Sequence, residues 1–354
     1  MVGLTRSPAW AVERDKSVSD RSLFVAAWLF ATAFLVFCMV VVGGATRLTG
    51  SGLSITQWRP VTGVLPPMSS VAWAGAFAKY QASSQYRLIH QGMALSDFKI
   101  LFWWEWSHRL LGRAVGMVFA VPFVAFLATR TMPRWLMGRC VVLFALGALQ
   151  GLVGWWMVRS GLEGRAAVAP ERLATHLGLA LVLLGALVWT GLDAWSGPTR
   201  RRRDGWTSAG LVFAALVFLQ CLLGALVAGN QAGLIDGDWP LMAGRVFPEG
   251  YWQGAIWATV AHGLAAVQFN HRLLAYVLVG FIAALALGAG RSPSIPPSLR
   301  ILIFAICVVV GVQATLGVAT LLLSVPLSLA LLHQANAAIL FSLAIGLAWR
   351  TRIA

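Results

Sequence analysis

A histidine motif occurs twice in this chain. Trp106-Ser107-His108-Arg109-Leu110-Leu111-Gly112 returns as Phe269-Asn270-His271-Arg272-Leu273-Leu274-Ala275. Each copy is followed by a second histidine in an apolar segment, His176 after the first and His333 after the second. Histidine inside a membrane helix is costly and usually faces a cavity, a cofactor or a partner helix. For a single residue, interhelical hydrogen bonding is the leading account. Four histidines at matching positions of two similar halves shift the balance to metal ligation. Each half offers two imidazoles on different helices, with nothing resembling a third or fourth ligand nearby. That pattern favours two axial pairs for two haems over zinc or copper.

The halves differ beside the first histidine. Glu105 precedes His108 by three residues, one turn away on the same helical face, and the second half has Gln268 there. A carboxylate beside a haem can relay protons or act as acid or base. The plainer account is a helix-start charge favoured by the dipole. Because the other half lacks the charge, one site reads as catalytic and the other as a redox site. Arg109 and Arg272 follow the two histidines. They suit bidentate contact with haem propionates, and snorkelling to the interface competes evenly. Trp103, Trp104 and Trp106 fit an aromatic belt first and a haem-packing wall second. His262 lies nine residues before His271, roughly on the opposite helix face, and His90 sits in the first loop. Neither carries an assigned role.

These residues must be positioned by membrane helices. The 354-residue chain is 59% hydrophobic and 11% charged, with a mean hydropathy of +0.77, unlike a soluble domain of this size. The net charge of +15 does not indicate nucleic acid, because the arginines fall mostly in short loops between apolar runs, as topology determinants do. Arg200-Arg201-Arg202-Arg203 is the densest cluster and reads as a cytoplasmic loop marker. Cys38, Cys140, Cys221 and Cys307 form no CxxC or CxxCH pattern, which argues against a redox dithiol and covalent haem attachment.

Eight membrane helices are expected, near 23–45, 106–129, 135–158, 173–195, 206–229, 269–290, 299–324 and 327–349. The sixth apolar stretch begins near Gly254 and is too long for one span, so residues before Phe269 are expected to extend above the membrane. Lys and Arg counts place both termini inside and all four histidines toward the outer face. The repeat extends further: Gly43 with Gly52-Leu53 matches Gly224 with Gly233-Leu234, and Gln150 with Gly154 matches Gln313 with Gly317. The expected fold is therefore an all-α polytopic membrane protein of two pseudo-symmetric four-helix bundles in the same orientation. The parts are a tail 1–22, a first bundle 23–199 with a long outer loop 46–104, a basic linker 200–205 and a second bundle 206–354. Most glycines of the run Gly43-Gly44-Ala45-Thr46-Arg47-Leu48-Thr49-Gly50-Ser51-Gly52 read as helix-capping and turn residues.

Together the run 43–54, Glu105-Trp106-Ser107-His108-Arg109, His176, Asn270-His271-Arg272 and His333-Gln334-Ala335-Asn336 resemble the haem A synthase family from Leu23 to Trp349. The resemblance implies oxidation of the C8 methyl of haem O to a formyl group, giving haem A for cytochrome oxidase. By position, His108 and His176 would frame the substrate haem, Glu105 would be the catalytic carboxylate, and His271 and His333 would ligate a resident haem b. It further implies an external electron donor that the sequence does not name, and haem O synthase and cytochrome oxidase assembly proteins as partners besides membrane lipid. Some family members carry cysteine pairs in the outer loops; this chain has none, so a mechanism resting on such a disulfide does not transfer. A bacterial inner membrane is the expected location. Two other readings stand beside this one. A di-haem b-type cytochrome carrying electrons in a quinol-linked reaction would share the histidine pairs but would not need Glu105. A haem carrier or assembly factor would lack turnover.

Overall fold

The computed structural model describes residues 16–59, 62–197 and 204–352. In chain order its helices are α1 (Lys16–Leu48), α2 (Ser70–Gln81), α3 (Ser84–Ile89), α4 (Leu95–Ala128), α5 (Arg134–Leu162), α6 (Pro170–Ser196), α7 (Gly205–Gly229), α8 (Ile256–His262), α9 (Leu264–Arg291), α10 (Pro297–Leu322) and α11 (Leu327–Thr351). Eight of these, all but α2, α3 and α8, are long and apolar enough to cross a membrane. Among the described residues no strand forms. The expected tail 1–22 and the arginines 200–203 lie wholly or largely outside those residues.

Local chemistry sets the helix ends. Pro170 and Pro297 open α6 and α10, where a missing N–H costs nothing. Asp204 caps α7 by accepting from the Thr207 N–H, and Gly197 leaves α6 at φ 69°.

The packing fits two four-helix bundles. In the first, α1 packs on α4 and α6, and α5 packs on α6; in the second, α7 packs on α9 and α11, and α10 joins those two. The halves meet through α1, α6, α7 and α11. Val25, Leu29, Leu184, Leu187, Phe213, Phe341 and Leu347 from these inner helices are buried in one continuous core. Apolar residues on the outer helices, such as Val121, Val142, Ile301 and Val308, stay exposed, as lipid-facing positions do. One difference between the bundles is plain: α9 and α10 pack closely, while α4 and α5 touch little.

Three boundaries depart from the sequence expectation. Helix α4 begins at Leu95 rather than near residue 106. Its early turns bury Phe98, Leu101 and Phe102 against Tyr80, Trp73 and Phe77 of α2, so helices in the loop, not lipid, cover that face. The stretch before residue 269 is broken at Gly263 into α8 and α9, and α9 begins at Leu264 rather than near residue 269. A Cβ at Gly263 would lie 2.6 Å from the Thr259 carbonyl oxygen. Gly43 and Gly44 do not cap α1; the helix continues to Leu48, and both face neighbouring side chains. Gly50, at φ 68°, is a true turn glycine.

Candidate functional site: two glycine-cradled histidine pairs

Each of the four motif histidines rests its ring edge on a glycine of an adjacent helix. A Cβ built on Gly43 of α1 would lie 3.1 Å from Cε1 of His108 in α4, and one on Gly224 of α7 would lie 3.1 Å from Cε1 of His271 in α9. The second members repeat this: Gly154 of α5 faces Cε1 of His176 in α6, and Gly317 of α10 faces Cε1 of His333 in α11, each at 2.9 Å. Any side chain at these glycines would displace an imidazole. The duplication read in sequence is therefore one of geometry as well as of residue type.

Gly43 and Gly224 lie in the last two turns of α1 and α7, and His176 and His333 in the second turn of α6 and α11. All four imidazoles thus sit toward one face of the molecule, the face at which α1, α5, α7 and α10 end. In the second pair the rings of His271 and His333 have centroids 6.5 Å apart and planes at 79°. Two imidazoles binding one metal from opposite sides, with metal–nitrogen bonds of about 2 Å, have centroids about 6 Å apart. Among the described residues no group of three or more His, Cys, Asp or Glu side chains could hold a metal ion. A pair of imidazoles fits an iron whose remaining ligands come from a macrocycle, as in haem.

Hydrogen bonding around the second pair comes from amides. Nε2 of Gln220 in α7 lies 3.1 Å from Nδ1 of His271 and donates to its carbonyl oxygen at 2.9 Å. Nε2 of Gln313 in α10 lies 3.2 Å from Nδ1 of His333, and Asn336 of α11 donates to Gln313 Oε1 at 2.8 Å. Around the first pair, Gln150 of α5 donates to the His176 carbonyl at 3.0 Å, while Gln150 Oε1 and His176 Nδ1 are buried with no hydrogen-bond partner.

Glu105 is buried at 3% exposure and fully engaged. Its Oε2 accepts from Ser54 Oγ at 2.8 Å and from the Ile55 N–H at 2.7 Å. Its Oε1 accepts from Arg109, one turn on, at 2.6 Å. Arg109 also donates to the carbonyls of Ile55 and Gln57. The second half has the same frame with reversed polarity at one position: Gln268 donates to the Asp236 carbonyl at 3.0 Å, and Arg272 donates to the carbonyls of Asp236, Asp238 and Leu241. Both arginines therefore bind the segment that follows α1 or α7. A small cavity bordered by Ile55, Gln57, Arg109, Trp155 and Arg159 opens beside this frame in the first half.

The remaining sequence candidates fall elsewhere. Trp106 donates to the Val64 carbonyl at 3.1 Å, and Trp103 and Trp104 are exposed, Trp103 packing on Trp73, Phe102 and Trp106. His262 ends α8, 3.9 Å from Glu171 at the start of α6. His90 belongs to a loop network: Tyr80, fully buried, shares a hydrogen bond of 2.5 Å with His90 Nδ1 and donates to Gln85, which donates to the Gly50 carbonyl. Burial raises the Tyr80 phenol well above its ordinary range and lowers His90, so both are neutral at pH 7. The residues that sequence reasoning missed are Gln220 and the glycines as ring seats. Gln220, an amide in an otherwise apolar helix, was the available signal.

A family profile described as cytochrome oxidase assembly protein, COX15-CtaA, matches residues 26–345. A protein named heme A synthase from Caulobacter sp. (strain K31) is 57% identical over 337 residues, covering 94% of this chain and 98% of that one. Its namesake from Caulobacter vibrioides is 54% identical over 335 residues, with the same coverage of both chains. Another from Parvibaculum lavamentivorans is 47% identical over 324 residues, covering 91% and 92%.

Proposed function

The chain belongs to the COX15-CtaA family of cytochrome oxidase assembly proteins, and from that premise we propose that it acts as its relatives are named to act, oxidising haem O to haem A. The observation that carries the reading is a pair of matched, glycine-cradled histidine sites of which one alone has a buried carboxylate beside it. An electron-transfer cytochrome would need neither that asymmetry nor the sparse contact between α4 and α5.

In this reading His108 and His176 hold the iron of the substrate haem O, and His271 and His333 hold a resident haem b. Haem b, when bound, supplies a one-electron relay to the first site from an external donor. The chain's own residues do the rest. Helices α1, α4, α5 and α6 exclude water and fix the ring plane through the two imidazoles. The weak contact between α4 and α5 leaves room for a bulky macrocycle. The segment 54–57, tied down by Glu105 and Arg109, closes the outer end. Glu105 is the only carboxylate one turn from a motif histidine, so it is the group to accept and return protons at the C8 methyl, whose conversion to a formyl group takes its oxygen atom and its oxidant from outside the chain. The cavity between Arg109 and Arg159 is the seat for a haem carboxylate; at Arg109 or Arg272 a propionate would replace a loop carbonyl as acceptor. The bundles 23–199 and 206–354 act as substrate and relay halves. The proposed setting is a bacterial inner membrane with both termini cytoplasmic and the sites toward the outer face.

Pigment extraction tests this directly. The protein is purified from cells supplied with haem O, and each extracted haem is identified by mass. Haem b together with haem O or haem A is the expected result. Haem b alone under those conditions would transfer the assignment to the cytochrome reading.

A further inference from the structure

The two histidine pairs share their glycine seats but not what holds the rings. Counting from Gly43 and Gly224, Gln220 stands where α1 has Met39; counting from His176 and His333, Asn336 stands where α6 has Leu179. We propose that Gln220, Gln313 and Asn336 are positioning residues that lock the axial imidazoles of the second site, and that Met39 and Leu179 leave the first site loose enough for a haem to depart. The proposal rests on the reading that both pairs ligate haem iron.

The physical argument concerns the ring nitrogen that faces away from the metal. A ligating imidazole carries its proton on that nitrogen and usually donates it to an acceptor, which fixes ring orientation and strengthens the ligand. In an apolar bundle no water can take that part. The Gln220 amide nitrogen lies 3.1 Å from Nδ1 and 3.5 Å from Nε2 of His271, and that of Gln313 lies 3.2 Å from Nδ1 and 3.3 Å from Nε2 of His333. The Gln220 nitrogen also donates to the His271 carbonyl oxygen at 2.9 Å and is pinned there; the Gln313 amide can present its oxygen to a ring N–H if Asn336 turns with it. Asn336 holds the Gln313 amide at 2.8 Å, so the second ligand has a partner that is itself held.

The first site offers less. The thioether of Met39 is a weak acceptor at best, and it lies beside Gly112, one turn past His108. Gln150 spends its nitrogen on the His176 backbone, its oxygen is left over as that of Gln220 is, and, unlike the second-site rings, His176 Nδ1 is buried without a partner. Loss of such an outer partner costs about 10–100-fold in metal affinity. The same fold thus builds one tight and one loose site by exchanging two residues. A relay must retain its haem, and a site that makes a product must release it.

The test uses the full chain purified in detergent, with excess apomyoglobin as haem acceptor. Gln220→Met and Asn336→Leu each import the residue of the other half. Each should speed departure of haem b about 10- to 100-fold and perturb its low-spin spectrum. The reverse exchange, Met39→Gln with Leu179→Asn, should slow departure of haem O from the first site, and it decides the matter if the second-site variants do not fold. Haem b leaving both single variants at the wild-type rate would overturn the proposal, as would haem O leaving the reverse variant unchanged. A His271→Ala control separates the underlying reading: a wild-type protein whose haem b is indifferent to that substitution fails at ligation, not at positioning.

Discussion

At the scale of single residues, Glu105 anchors the segment after α1 and, on the proposed reading, also carries protons; the second half shows how to separate the two. Gln268 fills the matching position of the second half with an amide, so Glu105→Gln preserves size while removing charge, acidity and one acceptor oxygen. Haem A formation should fall about 10²- to 10⁴-fold, with haem O or a hydroxylated product accumulating and the second-site haem b spectrum unchanged. Wild-type rates in that variant would reduce Glu105 to an anchor for Ser54 and Ile55. The glycine seats give a second prediction. Gly317→Ala would press a methyl against His333 at 2.9 Å and should shift the low-spin haem b spectrum, whereas Gly154→Ala, against His176, should leave that spectrum alone and impair haem O binding. A reversed pattern in optical titration would exchange the roles of the two sites. The histidines and the Glu105–Gln268 contrast were readable because their spacing repeats. The glycine seats were not, because a glycine pressed against a neighbouring ring and a glycine capping a helix look alike in one dimension. Gly43 and Gly44 therefore read as caps although they lie inside α1.

At the scale of elements, all eight long helices were legible, since composition and length decide them. What escaped was the outer loop. Its α2 and α3 are too short and too weakly patterned to stand out, and α4 extends eleven residues beyond its expected start because Phe98 and Phe102 pack on those helices rather than on lipid. The network from His90 through Tyr80 and Gln85 to the Gly50 carbonyl ties this cap to the end of α1. Tyr80→Phe removes the hydroxyl at its centre and should cost about 1 kcal/mol, read as faster proteolytic nicking between residues 82 and 95. The cap should also loosen in acid. Burial lowers the His90 pKa, so the folded cap binds fewer protons than the unfolded loop between the folded value and about 6.5. Its contribution is present above about 6.5 and declines as pH falls through that window. Nicking that is equally slow at pH 5 and pH 8 would remove His90 from the network.

At the scale of the whole molecule, the halves are fastened at both ends. Toward one face Gln334 of α11 donates to the Val40 carbonyl of α1. Toward the other, Asp193 of α6 accepts from Arg139 of α5 at 2.5 Å, from Trp349 of α11 at 2.7 Å and from Arg352 just beyond α11. Asp193 is buried at 6% exposure, so its removal breaks the pairs with Arg139 and Arg352, a loss of about 3–5 kcal/mol where a buried pair is broken. Asp193→Ala should therefore lower the melting temperature of the detergent-solubilised protein without altering the haem b spectrum; an unchanged melting curve would mean the inner helices alone join the halves. The four motif histidines also sit toward one face, where α1 and α7 end, which in a membrane would set the two pairs at similar depth. A charge moved across a membrane exchanges about 2.3 kcal/mol with each 100 mV of potential, but a charge moved along the plane exchanges none. Electrons passing from one pair to the other would travel sideways, so that step should run equally fast in energised and de-energised vesicles.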